Sequence, residues 1–313
     1  MRILFWGTPD FATPPLRALI GEGHDVVGVV TQPDRPRGRS RSRRDPSPVK
    51  VVALEEDIPV LQPERPRGDE FLAAMRALEP DISVVVAYGH LLPREVIDLP
   101  PLGTLNIHAS LLPALRGAAP IQAAIASGLT ETGVTIMRMV PALDAGPVVL
   151  ALPTPIEPDE TAGELQLRLA EIGAEAVVEA LALVGLGRAS EKPQDDSLAT
   201  YAPKIERSDA RLPFGASCER VARLVRAFDP KPGAWTVLRS AEVRLFGARA
   251  ESGGAPGLPG EVLEAGANGL LIACADGAVR ISEVHPAGKK RVAAAQWVRG
   301  RGVGVGDRFD SPD

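Results

Sequence analysis

Asn106 and His108 lie two apart in the apolar stretch 103–108 (GTLNIH), and Asp144 follows a second apolar stretch, 133–140. Side chains alternate along a β-strand, so residues two apart share a face. An amide donor beside an imidazole is what acyl transfer to an amine requires. The tetrahedral intermediate develops an oxyanion that needs fixed hydrogen-bond donors, and the attacking amine must lose a proton. A carboxylate close to an imidazole can hold its tautomer, and topology places Asp144 to be that carboxylate. Taken alone, the same residues also fit a hydrogen-bonded structural histidine and an aspartate in a turn before Ala145-Gly146. The two readings are compatible.

Side chains so placed need a scaffold. Strands are expected over 2–7, 25–31, 81–87, 103–108, 133–140 and 148–156, with a helical pattern at Leu16, Leu19 and Ile20 and others between most of the strands. Val- and Ile-rich runs separated by amphipathic segments predict a parallel sheet covered on both faces. That is a Rossmann-like α/β domain, and ligands bind outside the carboxyl ends of such strands. Thr161-Ala162-Gly163-Glu164 is a capping box, and Leu165, Leu169, Ile172 and Ala176 continue one helical face behind it. The first domain is therefore expected over 1–187. Residues 188–207 are polar and broken, as a linker would be. Beyond them, over 208–313, short apolar runs lie between glycines at 234–238, 243–246, 260–263, 269–273 and 278–284. This spacing predicts a small antiparallel, OB-like β-barrel.

With 313 residues the chain can bury two cores, and with only 4% aromatics Val, Leu, Ile and Ala must fill them. The apolar start, 1–7, is too short to span a bilayer and lacks the cleavage region of a secretory signal, and no stretch reaches eighteen uninterrupted apolar residues. Cys218 and Cys274 have no motif spacing around them, which excludes a CxxC metal or redox site. A cytoplasmic protein without a membrane partner is expected. The net charge of -5 is unevenly spread: residues 1–208 carry 20 basic and 28 acidic side chains, residues 209–313 carry 15 and 12. Arg35, Arg37, Arg39, Arg41, Arg43 and Arg44 crowd into ten positions. An acidic chain with one basic arm suits a polyanion touched at chosen places, and a solvated loop is the plain alternative. The glycines 302, 304 and 306 mimic a dinucleotide fingerprint but leave no room for a following helix.

The wording around the three polar residues is more specific than their spacing. Asn106-Ile107-His108-Ala109-Ser110-Leu111-Leu112-Pro113, followed by Arg116-Gly117-Ala118-Ala119-Pro120, resembles the signature of the folate-dependent formyltransferases. Tyr88-Gly89 upstream and Leu143-Asp144-Ala145-Gly146 downstream extend the match. Gly7-Thr8-Pro9-Asp10-Phe11-Ala12, Thr31-Gln32-Pro33-Asp34-Arg35-Pro36, Pro46-Ser47-Pro48-Val49-Lys50 and Pro286-Ala287-Gly288-Lys289-Lys290 are similar to the branch that formylates methionyl-tRNA.

The resemblance implies an enzyme that moves the formyl group of 10-formyltetrahydrofolate to the methionine amine of initiator methionyl-tRNA, without a metal and as a monomer. It implies that Asn106, His108 and Asp144 are catalytic, with Asp144 orienting His108. Ser110, Leu111, Leu112 and Pro113, with Tyr88, Gly89 and Leu92 near the pterin, would bind folate. Arg37, Arg39, Arg41, Arg43, Arg44, Lys289 and Lys290 would bind tRNA, with Arg39 at the family's key position and the loop mobile until RNA arrives. The sequence departs from the family at Arg211-Leu212-Pro213-Phe214, where Ile-Asp-Trp is usual. The nearest rival is a formyltransferase acting on a small amine such as a nucleotide sugar, which the basic arm would not serve.

Overall fold

The computed structural model of the chain describes residues 1–37, 43–253 and 257–310. Contacts divide it into two compact units. The first comprises Met1–Gly117, Glu131–Pro155 and Gln166–Ala202, and the second Ala118–Thr130, Ile156–Leu165 and Pro203–Asp313.

In the first unit the strands are β1 (Arg2–Gly7), β2 (Asp25–Val30), β3 (Arg35–Arg37), β4 (Arg43–Asp45), β5 (Val60–Leu61), β6 (Ile82–Val86), β7 (Thr104–His108), β8 (Arg116–Gly117), β9 (Glu131–Arg138), β10 (Val148–Pro155) and β11 (Tyr201–Ala202). Seven of them form one sheet in the order β10-β9-β7-β6-β1-β2-β5. The five from β5 to β7 are parallel, as their continuous Val/Ile runs require of strands buried on both faces. β9 and β10 depart from the all-parallel expectation: β9 runs antiparallel to β7, and β10 antiparallel to β9. The sheet is thus Rossmann-like and mixed. Buried apolar runs reveal that a strand is central without revealing its direction, which the connection decides.

The second unit holds β12 (Ala234–Leu238), β13 (Ala241–Ser252), β14 (Val262–Gly266), β15 (Gly269–Ala273), β16 (Gly277–Pro286) and β17 (Val292–Ala293). They make an antiparallel sheet in the order β12-β13-β16-β15-β14, with β17 on β16. The helices along the chain are α1 (Thr13–Gly21), α2 (Pro48–Glu55), α3 (Asp69–Ala77), α4 (Arg94–Ile97), α5 (Pro120–Ser127), α6 (Ala162–Gly185), α7 (Cys218–Ala227) and α8 (Ala294–Arg299). At the start of α6 the capping box closes: the Thr161 N–H and hydroxyl donate to Glu164 at 2.9 and 2.7 Å, and the Glu164 N–H returns to the Thr161 hydroxyl. These bonds hold the Glu164 carboxyl below its ordinary range.

The departure at 211–214 is a core anchor of the second unit. Leu212 and Phe214 are fully buried, Phe214 stacks on Phe309, and the Arg211 guanidinium lies over Trp235. No helix among the described residues is long and apolar enough to cross a membrane.

Candidate active site

β7 is flanked by β6 and β9, so its backbone is paired on both sides. Asn106 sits opposite Val85 and Met137, and His108 opposite Thr135. Both side chains are nine-tenths buried or more. His108 Nε2 lies 3.1 Å from the Leu115 carbonyl oxygen. A carbonyl only accepts, so Nε2 carries the hydrogen. Nδ1 faces Asp144 Oδ2 at 3.8 Å, within charge contact and beyond a hydrogen bond. The bond that aims the ring in this structure therefore comes from Leu115. Asn106 differs: no described residue offers its side chain a hydrogen bond. An amide held in place yet unpaired is available to something other than the protein.

Asp144 reaches this pair by a detour. Because β9 is antiparallel, its last residue, Arg138, lies opposite Leu105, about 10 Å short of His108 at ~3.3 Å per residue. The loop 139–147 must double back, and it does so through a tight turn. Asp144 has φ +48°, and a Cβ at Gly146 would run into the Arg138 carbonyl. Such a backbone conformation in a residue other than glycine costs about 1–3 kcal/mol. Three hydrogen bonds hold the turn. Gly117 N–H donates to Asp144 Oδ2 at 2.8 Å, and Gln194 Nε2 donates to the carbonyls of Asp144 and Gly146 at 2.8 and 2.7 Å. At about 0.5–1.5 kcal/mol each, they suffice together to offset the strain.

The segment 115–117 thus serves both groups, one through the Leu115 carbonyl and the other through the Gly117 N–H. It is fixed in turn by residues 188–202, which the sequence presents as part of a polar linker. Leu115 and Arg116 N–H donate to the hydroxyl and carbonyl of Thr200, and β8 pairs with β11. Gly117 has φ +122°, and a Cβ there would strike the Ala202 carbonyl, so glycine is required. The Arg116 guanidinium is buried against Gln194 Oε1 and Asp196. Leu115, Gln194 and Thr200 carry no sequence signal, because a carbonyl and two small polar side chains gain their meaning only in the fold.

Ser110, Leu111, Leu112 and Pro113 follow β7 directly. The Ser110 hydroxyl is buried and donates to the Ala114 carbonyl at 2.6 Å, and Leu112 N–H donates to Thr135 Oγ1. Tyr88 and Leu92 lie in the core with Trp6 and Val85, while Gly89, at φ +92°, is exposed. The Tyr88 carbonyl accepts from Thr8 Oγ1 and Gln32 Nε2, which explains why Thr8 and Gln32 stand where β1 and β2 end.

The arginine run lies between β2 and α2. Its ends form a two-stranded antiparallel ribbon, with Arg35 opposite Asp45, Pro36 opposite Arg44 and Arg37 opposite Arg43. Arg39 and Arg41 lie outside the described residues; Arg44 is exposed. A polar clamp closes the base of the ribbon: Lys50 Nζ donates to Asp34 Oδ2 and Gln62 Oε1, and Gln62 Nε2 donates to Asp34 Oδ1 and the Gln32 carbonyl. These bonds hold the Asp34 carboxyl below its ordinary range. In the second unit Lys289 and Lys290 are exposed and, among the described residues, have no ion-pair partner, whereas Arg291 is bound by Asp229 and Glu283. Among the described residues no cluster of three or more His, Cys, Asp or Glu could hold a metal ion.

Residues 1–181 match the family described as formyl transferase, and residues 204–302 match the formyl transferase C-terminal domain. A methionyl-tRNA formyltransferase of Aromatoleum aromaticum is 46% identical over 99% of this chain and 98% of its own length. One from Pseudomonas fluorescens is 48% identical over 92% of this chain and 90% of its own. Among solved structures, HypX from Aquifex aeolicus in complex with tetrahydrofolic acid has a TM-score of 0.65 at 24% identity, covering 95% of this chain and 47% of that one. That likeness shows the fold.

Proposed function

We propose that this chain, which belongs to the formyl transferase family and within it to the methionyl-tRNA formyltransferases, moves the formyl group of 10-formyltetrahydrofolate to the α-amine of methionine on initiator methionyl-tRNA. The observation that carries this reading is the Asn106 amide beside His108, on a residue 9% exposed and with no hydrogen bond from its side chain among the described residues, with Asp144 3.8 Å from the imidazole. The amine attacks the formyl carbon, a C–N bond forms, and the carbonyl oxygen becomes an oxyanion. Asn106 donates to that oxyanion. The hydrogen on His108 Nε2 serves the oxyanion when it leaves the Leu115 carbonyl. Asp144 takes up the amine's proton, directly or through a water, and hands it on to folate N10 as the bond from N10 to the formyl carbon breaks. Tetrahydrofolate leaves.

Ser110, Leu111, Leu112 and Pro113, with Tyr88, Gly89 and Leu92, supply the folate site, where Tyr88, Leu92 and Ser110 act through their backbone because their side chains are buried. Arg37, Arg39, Arg41, Arg43 and Arg44 meet tRNA phosphates, and Lys289 and Lys290 add a second basic surface. The catalytic domain spans 1–187 and the tRNA-binding domain 208–313, in a cytoplasmic monomer. The test is product identity. With formyl-labelled folate and charged initiator tRNA, mild base should release labelled N-formylmethionine, and Asp144→Asn should slow its formation about 100-fold or more. Label found only in free formate would refute transfer to the amine.

A further inference from the structure

We propose that Gln194, with Arg116 behind it, is a positioning residue that sets the Asp144 carboxylate against His108. The proposal rests on the reading of Asn106, His108 and Asp144 as the formyl-transfer site. Gln194 lies in neither stretch that matches the family.

Every polar atom of the Gln194 side chain is committed. Oε1 accepts from Arg116 Nε and Nη2 at 3.1 and 2.7 Å, and Nε2 donates to the carbonyls of Asp144 and Gly146. A guanidinium can only donate and a carbonyl can only accept, so the amide fits in one orientation. Glutamate would satisfy Arg116 but has no hydrogen for the two carbonyls. Methionine fills the space and offers neither function. Arg116 is 3% exposed, so its charge fixes the Gln194 oxygen firmly.

The chain has a specific need for this bridge. β7 is locked between two strands, which fixes the backbone of Asn106 and His108, and the Leu115 carbonyl aims the His108 ring. The loop 139–147 must instead fold back about 10 Å from the end of β9 and hold a strained turn. Backbone bonds hold the two ends of the loop, Met139 N–H to the Thr104 carbonyl and Arg138 N–H to the Pro147 carbonyl, while the turn at 144–146 is tied to the site by the Gly117 N–H to the carboxylate and by the Gln194 amide to its two carbonyls. Removing the amide frees the turn, and the Asp144 carboxylate drifts from Nδ1 while the rest of the site stays in place. Losing such alignment lowers turnover and leaves substrate binding nearly intact.

The experiment compares kcat and KM for Gln194→Met, Gln194→Glu and Arg116→Lys, each also in an Asp144→Asn background. Gln194→Met and Gln194→Glu should lower kcat about 10- to 100-fold with KM for folate and tRNA changed less than about 3-fold. In the Asp144→Asn background the same changes should cost less than about 2-fold, because the group they position is already disabled. A merely structural defect would cost the same in both backgrounds and would overturn the proposal, as would wild-type kcat in both glutamine variants. Arg116→Lys keeps one donor for Oε1 and reports on the same bridge if Gln194→Met does not fold. If the wild-type chain transfers no formyl group, the functional reading fails, and amide exchange still decides the positioning role. The Gly117 N–H, bound to Asp144, should exchange faster in Gln194→Met while the Arg116 N–H, bound to Thr200, does not; equal exchange at Gly117 in both proteins would refute it.

Discussion

The Tyr88 hydroxyl is buried without a hydrogen-bond partner among the described residues, and burial pushes its pKa up to about 12. Its ring packs edge-on against Trp6 at 5.2 Å. On the proposed reading Tyr88 meets folate through its backbone, so Tyr88→Phe should leave the KM for folate unchanged. Thermal unfolding should show equal stability or a gain of up to about 1 kcal/mol, since an unsatisfied polar atom is removed. A several-fold rise in KM would mean that the hydroxyl meets the substrate. Asn106 and His108 were legible in the sequence because strand alternation puts residues two apart on one face. Asp144 was legible as a residue and not as a path, since its approach depends on the direction of β9. Gln194 was not legible at all: an amide in a polar stretch looks solvated until the fold brings a buried arginine to one side of it and two carbonyls to the other.

At the scale of elements, the strands of the main sheet follow from Val- and Ile-rich runs, and the capping box at Thr161 foretells the start of α6 by its own chemistry. The basic arm needs more. Six arginines over ten positions repel one another, and the clamp of Asp34, Lys50 and Gln62 holds the two ends of the ribbon together. Hydrogen bonds from Lys50 and Gln62 lower the Asp34 pKa in the folded chain. A lowered carboxyl pKa stabilises the fold above its unfolded value of 3.8, and that stability is lost as pH falls through the folded value. Asp34→Asn should therefore destabilise the protein by about 1 kcal/mol at pH 7. The difference from wild type should shrink as unfolding is measured from pH 5 down to about pH 3. A difference that does not change with pH would show that the carboxylate charge is not what the clamp uses.

For the whole molecule, a net charge of -5 means that a polyanion is repelled except where the arginine arm and the exposed Lys289 and Lys290 meet it. On the proposed reading kcat/KM for tRNA should fall linearly with salt on logarithmic axes, while the KM for folate moves little. Arg39→Ala should raise the KM for tRNA more than it lowers kcat and should make the salt slope shallower by about one. An unchanged slope would remove Arg39 from the phosphate contacts. The most direct test of the central claim measures kcat/KM for formyl transfer to charged initiator methionyl-tRNA, uncharged tRNA, elongator methionyl-tRNA and an amino-sugar nucleotide under one set of conditions. Efficient transfer to charged initiator tRNA alone is the expected result. Faster transfer to the amino sugar, or transfer to uncharged tRNA, would contradict the account.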